Sequence, residues 1–544
     1  MIHVYTLKNW YFDQTKDKYR VWGNISGNDA FEEGQWIHTS FVTRLEVEWG
    51  ALHIYTENSE YLAKYCEHDL ASIIVYDYLW GMPLVLFVLF TGIYFTIRSK
   101  FLQFRFFKKS FSTAIKSFGQ ADKKSGNTGV ISSFEAMSMA LGTTIGVGNI
   151  GGVAAAIALG GPGAIFWMWI AGLFGMVIKT TEITLALFFR SKEKNQDAYG
   201  GPNYYIHKGI GIERGHKYFA KILNFLFAFG FIMGIFLNIQ TYTVSEAVGN
   251  TFNLNLNLVG IVYTILLYLM ISGGMKKLGK IASIIVPFMC IFYIVGSLFI
   301  ILIHSQNVIP SLKLIFESAF TGTAAIGGFA GASFKLAIQS GMSRSVFSNE
   351  AGWGTAAMIH ASAKVDHPLK QGILGIFEVV FDTLIICSMT ALVIMVSGAW
   401  SSGLDGATLT LYAFESGVGN IGRMVLSIGV FFFGLTTSSG VYTQIEVVLR
   451  YVLGEKPIKE KLLQFYKWFY PIPSLAMVII ATKFGLPGTT LWLISDASTA
   501  LPIFANLIAL IILFPTFEKL VKDYTARYLG KGERLPDNEI FYND

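Results

Sequence analysis

The chain has 544 residues, of which 53% are hydrophobic, 15% aromatic and only 14% charged, and its mean hydropathy is +0.50. A soluble globular domain carries about a quarter charged residues, so this composition excludes an ordinary soluble protein and points to a polytopic membrane protein. The net charge of +6 is small and sorted by loop, which bears on orientation in a bilayer and makes no case for nucleic acid. Cys66, Cys290 and Cys387 are scattered, the last two in apolar segments, and suggest packing residues: no disulfide framework or zinc site is legible.

In chain order, residues 1–70 are polar, with short runs such as "KYRVWGNI" and "ALHIYTEN" between Gly and Asn breaks. This strand-and-turn pattern predicts a small β-rich soluble domain. No apolar h-region follows Met1, so a cleavable signal peptide is not expected. Taking about 20 residues per crossing, eleven apolar segments follow near 73–97, 130–158, 162–190, 217–247, 257–273, 281–304, 321–345, 371–398, 419–452, 465–482 and 487–514. They define a membrane domain over 71–516 and a tail over 517–544. Alternate loops are rich in Lys and Arg, as in "RSKFLQFRFFKKSFSTAIK" and "GMKKLGK", whereas "GGPG", "GNTFNLN" and "SGAWSSGLDGATLT" have none. By the positive-inside rule the first section faces outside and the tail lies in the cytoplasm.

Two segments interrupt themselves. Within "ALGTTIGVGNIGGVAAAIALGGPGAIFWMW" glycine recurs at 142, 146, 148, 151 and 152, and a second break, "AAIGGFAGAS", falls at 324–333. Unpaired backbone in hydrocarbon costs several kcal/mol per group, about as much as unwinding must recover from new partners. Setting the first segment aside, the broken helices occupy corresponding places in halves of five and five and start from opposite sides. That is the pattern of an inverted-repeat secondary transporter with its sites at the unwound helices. Close helix packing at small residues is the alternative reading.

At these residues the sequence resembles the alanine or glycine:cation symporters, a family of the amino acid–polyamine–cation superfamily with the LeuT-like fold. The resemblance runs from "YDYLWGMPLVLFVLFTGIYFTIRSKFLQFR" through "GVGNIGGVAAAIALGGPGAIFWMW", "YGGPNYYIHKGIG" and "AAIGGFAGA" to "FSNEAGWGTAAMIHASAKVDHPLKQG", and leaves out residues 1–70. It implies an all-α, LeuT-like 5+5 inverted-repeat bundle with one extra N-terminal transmembrane helix in the plasma membrane. The implied activity is sodium-coupled import of a small neutral amino acid, with sodium as coupling ion and no cofactor. Proton coupling and a non-transporting amino acid sensor are the alternatives. An enzyme is not expected, because no hydrophilic region beyond residues 1–70 is large enough for an ordinary domain and no nucleophile–base or metal constellation lies there.

By similarity to LeuT-like sites, the amides around Val147, Gly148 and Asn149 receive the substrate carboxylate, and carbonyls near Gly327, Gly328 and Phe329 face its ammonium. Gln240 matches a polar pocket residue of the family, and Thr437 and Val441 are expected beside the substrate as well. Close to the breaks Lys335 is the one Lys and there is no Arg, which suits a zwitterion better than a ligand with net charge. In "FGLTTSSGVY", Thr436 and Thr437 with the carbonyls of Gly142, Ile145 and Phe433 offer five oxygens for sodium; the alternative is that the hydroxyls bond back to their own helix. Glu378 and Asp382, four apart, are either coupling or gating carboxylates or structural charges, with Lys335 the expected partner. Lys179 and Glu182 read as an interfacial pair. Val441 stands where the family pattern expects Trp, and Leu237 where it expects Asn, so the resemblance implies a pocket able to take a larger or more apolar amino acid.

Overall fold

A computed structural model describes residues 3–6, 11–15, 18–22, 44–48, 51–56, 78–117, 129–192, 197–233, 239–320, 334–484 and 488–542. The chain divides into two units, Met1–Met82 and Pro83–Asp544. In the first, β1 (His3–Thr6), β4 (Arg44–Glu48) and β5 (Ala51–Thr56) form an antiparallel sheet in the order β1-β5-β4, and β2 (Tyr11–Thr15) pairs with β3 (Lys18–Trp22) as a hairpin. The remainder of 1–70, Cys66 included, lies outside the described residues.

The second unit is helical. After α1 (Met82–Arg98) and α2 (Phe107–Ser117), the first broken segment forms α3 (Ser133–Thr144) and α4 (Gly151–Gly160), followed by α5 (Gly163–Phe188), α6 (Lys217–Met233), α7 (Gln240–Phe252), α8 (Leu256–Ile271), α9 (Gly274–Ile303) and α10 (Val308–Phe320). The second half has α11 (Phe334–Asn349), α12 (Thr355–His360), α13 (Pro368–Val396), α14 (Gly406–Val418), α15 (Asn420–Leu453), α16 (Lys459–Phe469), α17 (Pro471–Phe484) and α18 (Gly488–Leu529). The described part of each predicted segment falls on one or two of these helices, and the second break, 324–333, lies outside the described residues. Among the described residues five, α5, α9, α13, α15 and α18 from Thr499, are long and apolar enough to cross a bilayer, and the halves of the broken segment meet at 49°. The chain is a multi-pass membrane protein.

Burial sorts the helices. The apolar window of α5 is 83% buried and that of α9 only 39%, so α5 is central and α9 turns a long apolar face outward, as lipid-facing helices do. The N-terminus of α3 is written in "SSFE": Ser132 Oγ accepts from the Glu135 amide at 3.2 Å, and the Glu135 carboxylate accepts from the Ser132 amide at 2.9 Å. This reciprocal cap satisfies two orphan donors where the helix enters the bundle. At the other end of the chain, Asp523 accepts from Arg527 and from the Leu535 amide, and the Tyr542 amide donates to Phe188 O at 3.0 Å, so the last segment is pinned beneath α5.

Candidate substrate and ion site

The first break is held open by side chains of other helices. After α3 the chain is extended at Ile145 and Gly146, makes one 3-10 turn over Val147–Asn149 and re-enters helix at Gly151. Asn149 Oδ1 accepts from the Gly146 amide at 2.8 Å, while Asn149 Nδ2 donates to Asp382 Oδ1 at 2.5 Å. Thr390 and Thr410 hydroxyls donate to the carbonyls of Asn149 and Ile150 at 2.7 and 3.0 Å. These bonds from α13 and α14 supply the partners that unwound backbone in an apolar medium requires. Among the described residues the amides of Val147 and Gly148 have no acceptor. As the first donors of the turn they remain available to an anion.

Val147 and Gly148 open onto a cavity whose walls also include Gln240, Thr437 and Val441, so five of the expected substrate residues converge. Asn149 does not join them: its side chain is spent on Asp382, because the same amide that closes the turn must also be anchored. Gly327, Gly328 and Phe329 lie outside the described residues, as does Leu237. Phe231, Phe347, Trp353 and Gln444 complete much of the wall, together with one residue that sequence reasoning missed, Glu350. This buried glutamate follows the last residue of α11 with φ of 58°, a conformation costing an L-residue about 1–2 kcal/mol. Its Oε2 accepts from Thr355 Oγ1 at 2.5 Å and Gln444 Nε2 at 3.4 Å. The signal lay inside the quoted "FSNEAGWG", where a glutamate stands at a helix end that ordinarily takes Gly.

On the other side of the break, four of the five expected sodium oxygens form two contacting pairs. Thr437 Oγ1 lies 3.1 Å from Gly142 O, and Thr436 Oγ1 lies 3.1 Å from Phe433 O. Glycine is needed here for approach: a Cβ on Gly142 would come within 3.2 Å of Thr436 Cβ, and one on Gly146 would collide with Thr437 Oγ1. Ile145 is fully buried immediately before Gly146. The Thr436 hydroxyl also bonds back to Phe432 O at 3.0 Å, whereas that of Thr437 reaches across to α3. Packing of α15 against the end of α3 therefore brings the Thr437 hydroxyl to a carbonyl of the break, while the Thr436 hydroxyl bonds to carbonyls of its own helix.

The buried charges pair differently from the expectation. Lys335 is exposed at the start of α11, and Asp382, fully buried, accepts instead from Asn149, from Ser348 Oγ at 3.1 Å and from Thr383 Oγ1 at 2.8 Å. Glu378 takes Lys179, 3.1 Å away, and His360, 2.6 Å away. Gln371 Nε2 donates to His360 Nδ1 at 2.8 Å, and its Oε1 accepts from Ser133 Oγ, which fixes the imidazole proton on Nε2, facing Glu378. Lys179 and Glu182 are not an interfacial pair either. Both are fully buried, and Glu182 accepts from Asn506 Nδ2 at 2.6 Å on α18. Helix α5 is the central one, so its charges meet partners from three sides. Cys387 is a buried free thiol 3.3 Å from Asn149 Nδ2 and Ser348 Oγ, consistent with a packing role.

This arrangement lies within the span 68–537, which matches the model of the sodium:alanine symporter family. The chain belongs to that family. It is 38% identical over 457 residues to an uncharacterized transporter of Haemophilus influenzae, covering 83% of this chain and 95% of that one. It is 36% identical over 454 residues to a sodium/alanine symporter of Methanococcus maripaludis, covering 82% and 95%. A probable sodium/glutamine symporter of Bacillus subtilis is 35% identical over 471 residues, covering 86% and 92%. Among solved structures, an Eremococcus coleocola manganese transporter matches 76% of this chain and 86% of its own at 13% identity, with a TM-score of 0.43.

Proposed function

We propose that this symporter imports a small neutral amino acid together with sodium by alternating access. The observation that carries the reading is the first break. On one side it offers the free amides of Val147 and Gly148 to a carboxylate, and on the other it brings the Thr437 hydroxyl, next to Thr436 on α15, against the carbonyl of Gly142. Substrate and ion thus share the same unwound backbone, and each has reason to favour the conformation the other stabilises. The amides would hold the carboxylate, the oxygens would replace water around sodium, and Gln240 would contribute a polar contact beside the pocket. A 5+5 inverted repeat with α1 as the extra helix, an outer first section and a cytoplasmic tail complete the reading.

Proton coupling is the second reading. It is favoured by the buried chain His360–Glu378–Lys179, whose ammonium comes within 3.4 Å of Thr144 Oγ1 at the end of α3. A thermal-shift screen of the purified protein against the amino acids, with sodium or choline at fixed pH, separates them. Small neutral amino acids should raise the unfolding midpoint in sodium and much less in choline; equal shifts in both would contradict sodium coupling.

A further inference from the structure

Glu350 is the one ionisable side chain among the described residues that line the cavity at the break. It is buried, and it makes no ion pair among the described residues; Lys179 is held instead by Glu378 at 3.1 Å and by Asn349 O at 3.0 Å. A buried carboxylate without a cation is costly, and the two oxygens of this one differ. Oε2 is fixed by Thr355 Oγ1 and Gln444 Nε2. Oε1 has no partner among the described residues, yet it is not sealed inside protein as Glu182 Oε2 is. On a wall residue of this cavity, the space open to that oxygen is the cavity. The free amides are close by: a Cβ on Gly148 would lie 3.2 Å from the Phe347 ring and 3.9 Å from Ser348 Cα, so the break packs against the end of α11 two residues before Glu350.

We propose that Glu350 Oε1 receives the ammonium of the substrate. The assignment rests on the reading that this cavity holds the amino acid by its carboxylate at Val147 and Gly148. Those amides put partial positive charge on one part of the wall, and Glu350 puts a full negative charge on another, which is the complement of a compact zwitterion. The bonds to Thr355 and Gln444 leave Oε2 spent and Oε1 oriented, so a bound ammonium donates a charge-assisted hydrogen bond without the carboxylate having to turn. The substrate class narrows accordingly to amino acids with a free, protonated amine. Acidic amino acids are disfavoured, because a second carboxylate in this cavity would stand beside Glu350 with no cation to separate them.

The test compares alanine with lactate, which keeps the carboxylate and methyl and replaces the ammonium by a hydroxyl, through thermal shifts of the purified protein in sodium. In the wild type, alanine should act at a concentration lower by roughly ten- to a hundredfold, the weight of a hydrogen bond to a charged group. Glu350→Gln keeps the shape and the acceptor for Thr355 but removes the charge. It should raise the alanine concentration needed by a similar factor and leave that of lactate near the wild-type value, so that the ratio collapses. Glu350→Asp, which keeps the charge on a shorter arm, should lose less than Glu350→Gln and is read in the same way if Glu350→Gln does not fold. An unchanged alanine-to-lactate ratio in these variants overturns the assignment, as does a wild type that responds equally to both. A higher sodium requirement with the ratio intact overturns it too, because the carboxylate would then serve the ion. A wild type that binds no amino acid in sodium would instead overturn the proposed function.

Discussion

Asn149 and Asp382, 233 residues apart in sequence, meet at 2.5 Å, and the same Asn149 amide accepts from the Gly146 backbone. Helix α13 therefore grips the unwound turn through Asp382 as well as through Thr390. Asp382 also accepts from Ser348 and Thr383, so Asp382→Ala strands several buried donors at about 1–3 kcal/mol each. Thermal unfolding of the single and double alanine variants of Asn149 and Asp382 should give a coupling of about 0.5–3 kcal/mol, as for residues in contact. Lys335→Met should stay within about 0.5 kcal/mol of wild type, as at other exposed sites; a large loss there would restore a role for Lys335 in pairing.

The ion pair of Lys179 and Glu378 is fully buried on both sides. Lys179→Met leaves Glu378 with His360 alone, and breaking a buried pair on one side costs about 3–5 kcal/mol. Lys179→Met with Glu378→Gln should recover much of that loss. Additive effects of the two changes would show that the pair does not carry stability.

His367 gives a pH signature outside the membrane spans. Its Nδ1 accepts from the Leu369 amide at 3.0 Å and its Nε2 lies 3.2 Å from Asp523 Oδ2, so the neutral ring with its proton on Nε2 satisfies both. Burial pushes its pKa down from 6.5 to about 4, against the opposing pull of Asp523. Above pH 6.5 the ring is neutral folded or unfolded. As pH falls from 6.5 towards about 4, the unfolded chain binds a proton the folded one refuses, and stability is lost. The unfolding midpoint of His367→Asn, which keeps a capping acceptor, should fall less steeply over that window. Parallel curves for variant and wild type would refute the linkage.

Val441 tests the pocket from the opposite wall. Val441→Trp adds bulk to the cavity and should exclude larger amino acids by overpacking, while glycine and alanine continue to compete. Equal weakening of glycine, alanine, valine and leucine would show that residue 441 does not set the size limit.

Part of this architecture is legible in the sequence, because hydropathy alone marks the five long apolar helices and five glycines mark the break. The hydroxyls of Thr436 and Thr437 are legible for the same reason: polar groups at membrane depth need partners. Pairing is less so. Lys335 is the nearest lysine to the second break in sequence, yet α11 turns it outward, and Lys179 reaches Glu378 because α5 runs through the centre of the bundle. Asn149 carries a polar side chain at the unwound turn, which fits a substrate contact and a structural anchor equally; only the position of Asp382 separates them. Glu350 and Trp353 reach the cavity through left-handed turns, which hydrophobic periodicity does not encode.

Thr437 ties the proposed ion site to the break, since its hydroxyl reaches Gly142 O at 3.1 Å and Thr143 O at 3.3 Å. Thr437→Ala should raise the sodium concentration for half-maximal uptake roughly tenfold, the weight of one charge-assisted contact, with near-normal expression. An unchanged sodium requirement would remove Thr437 from the site.

The central claim is that sodium moving down its gradient drives a neutral amino acid through this chain. The direct measurement is labelled alanine accumulation in proteoliposomes at equal pH on both sides, with an inward sodium gradient or with choline in its place. The account predicts concentrative, sustained uptake with sodium and none with choline. Accumulation that persists in choline and follows an imposed proton gradient would contradict it.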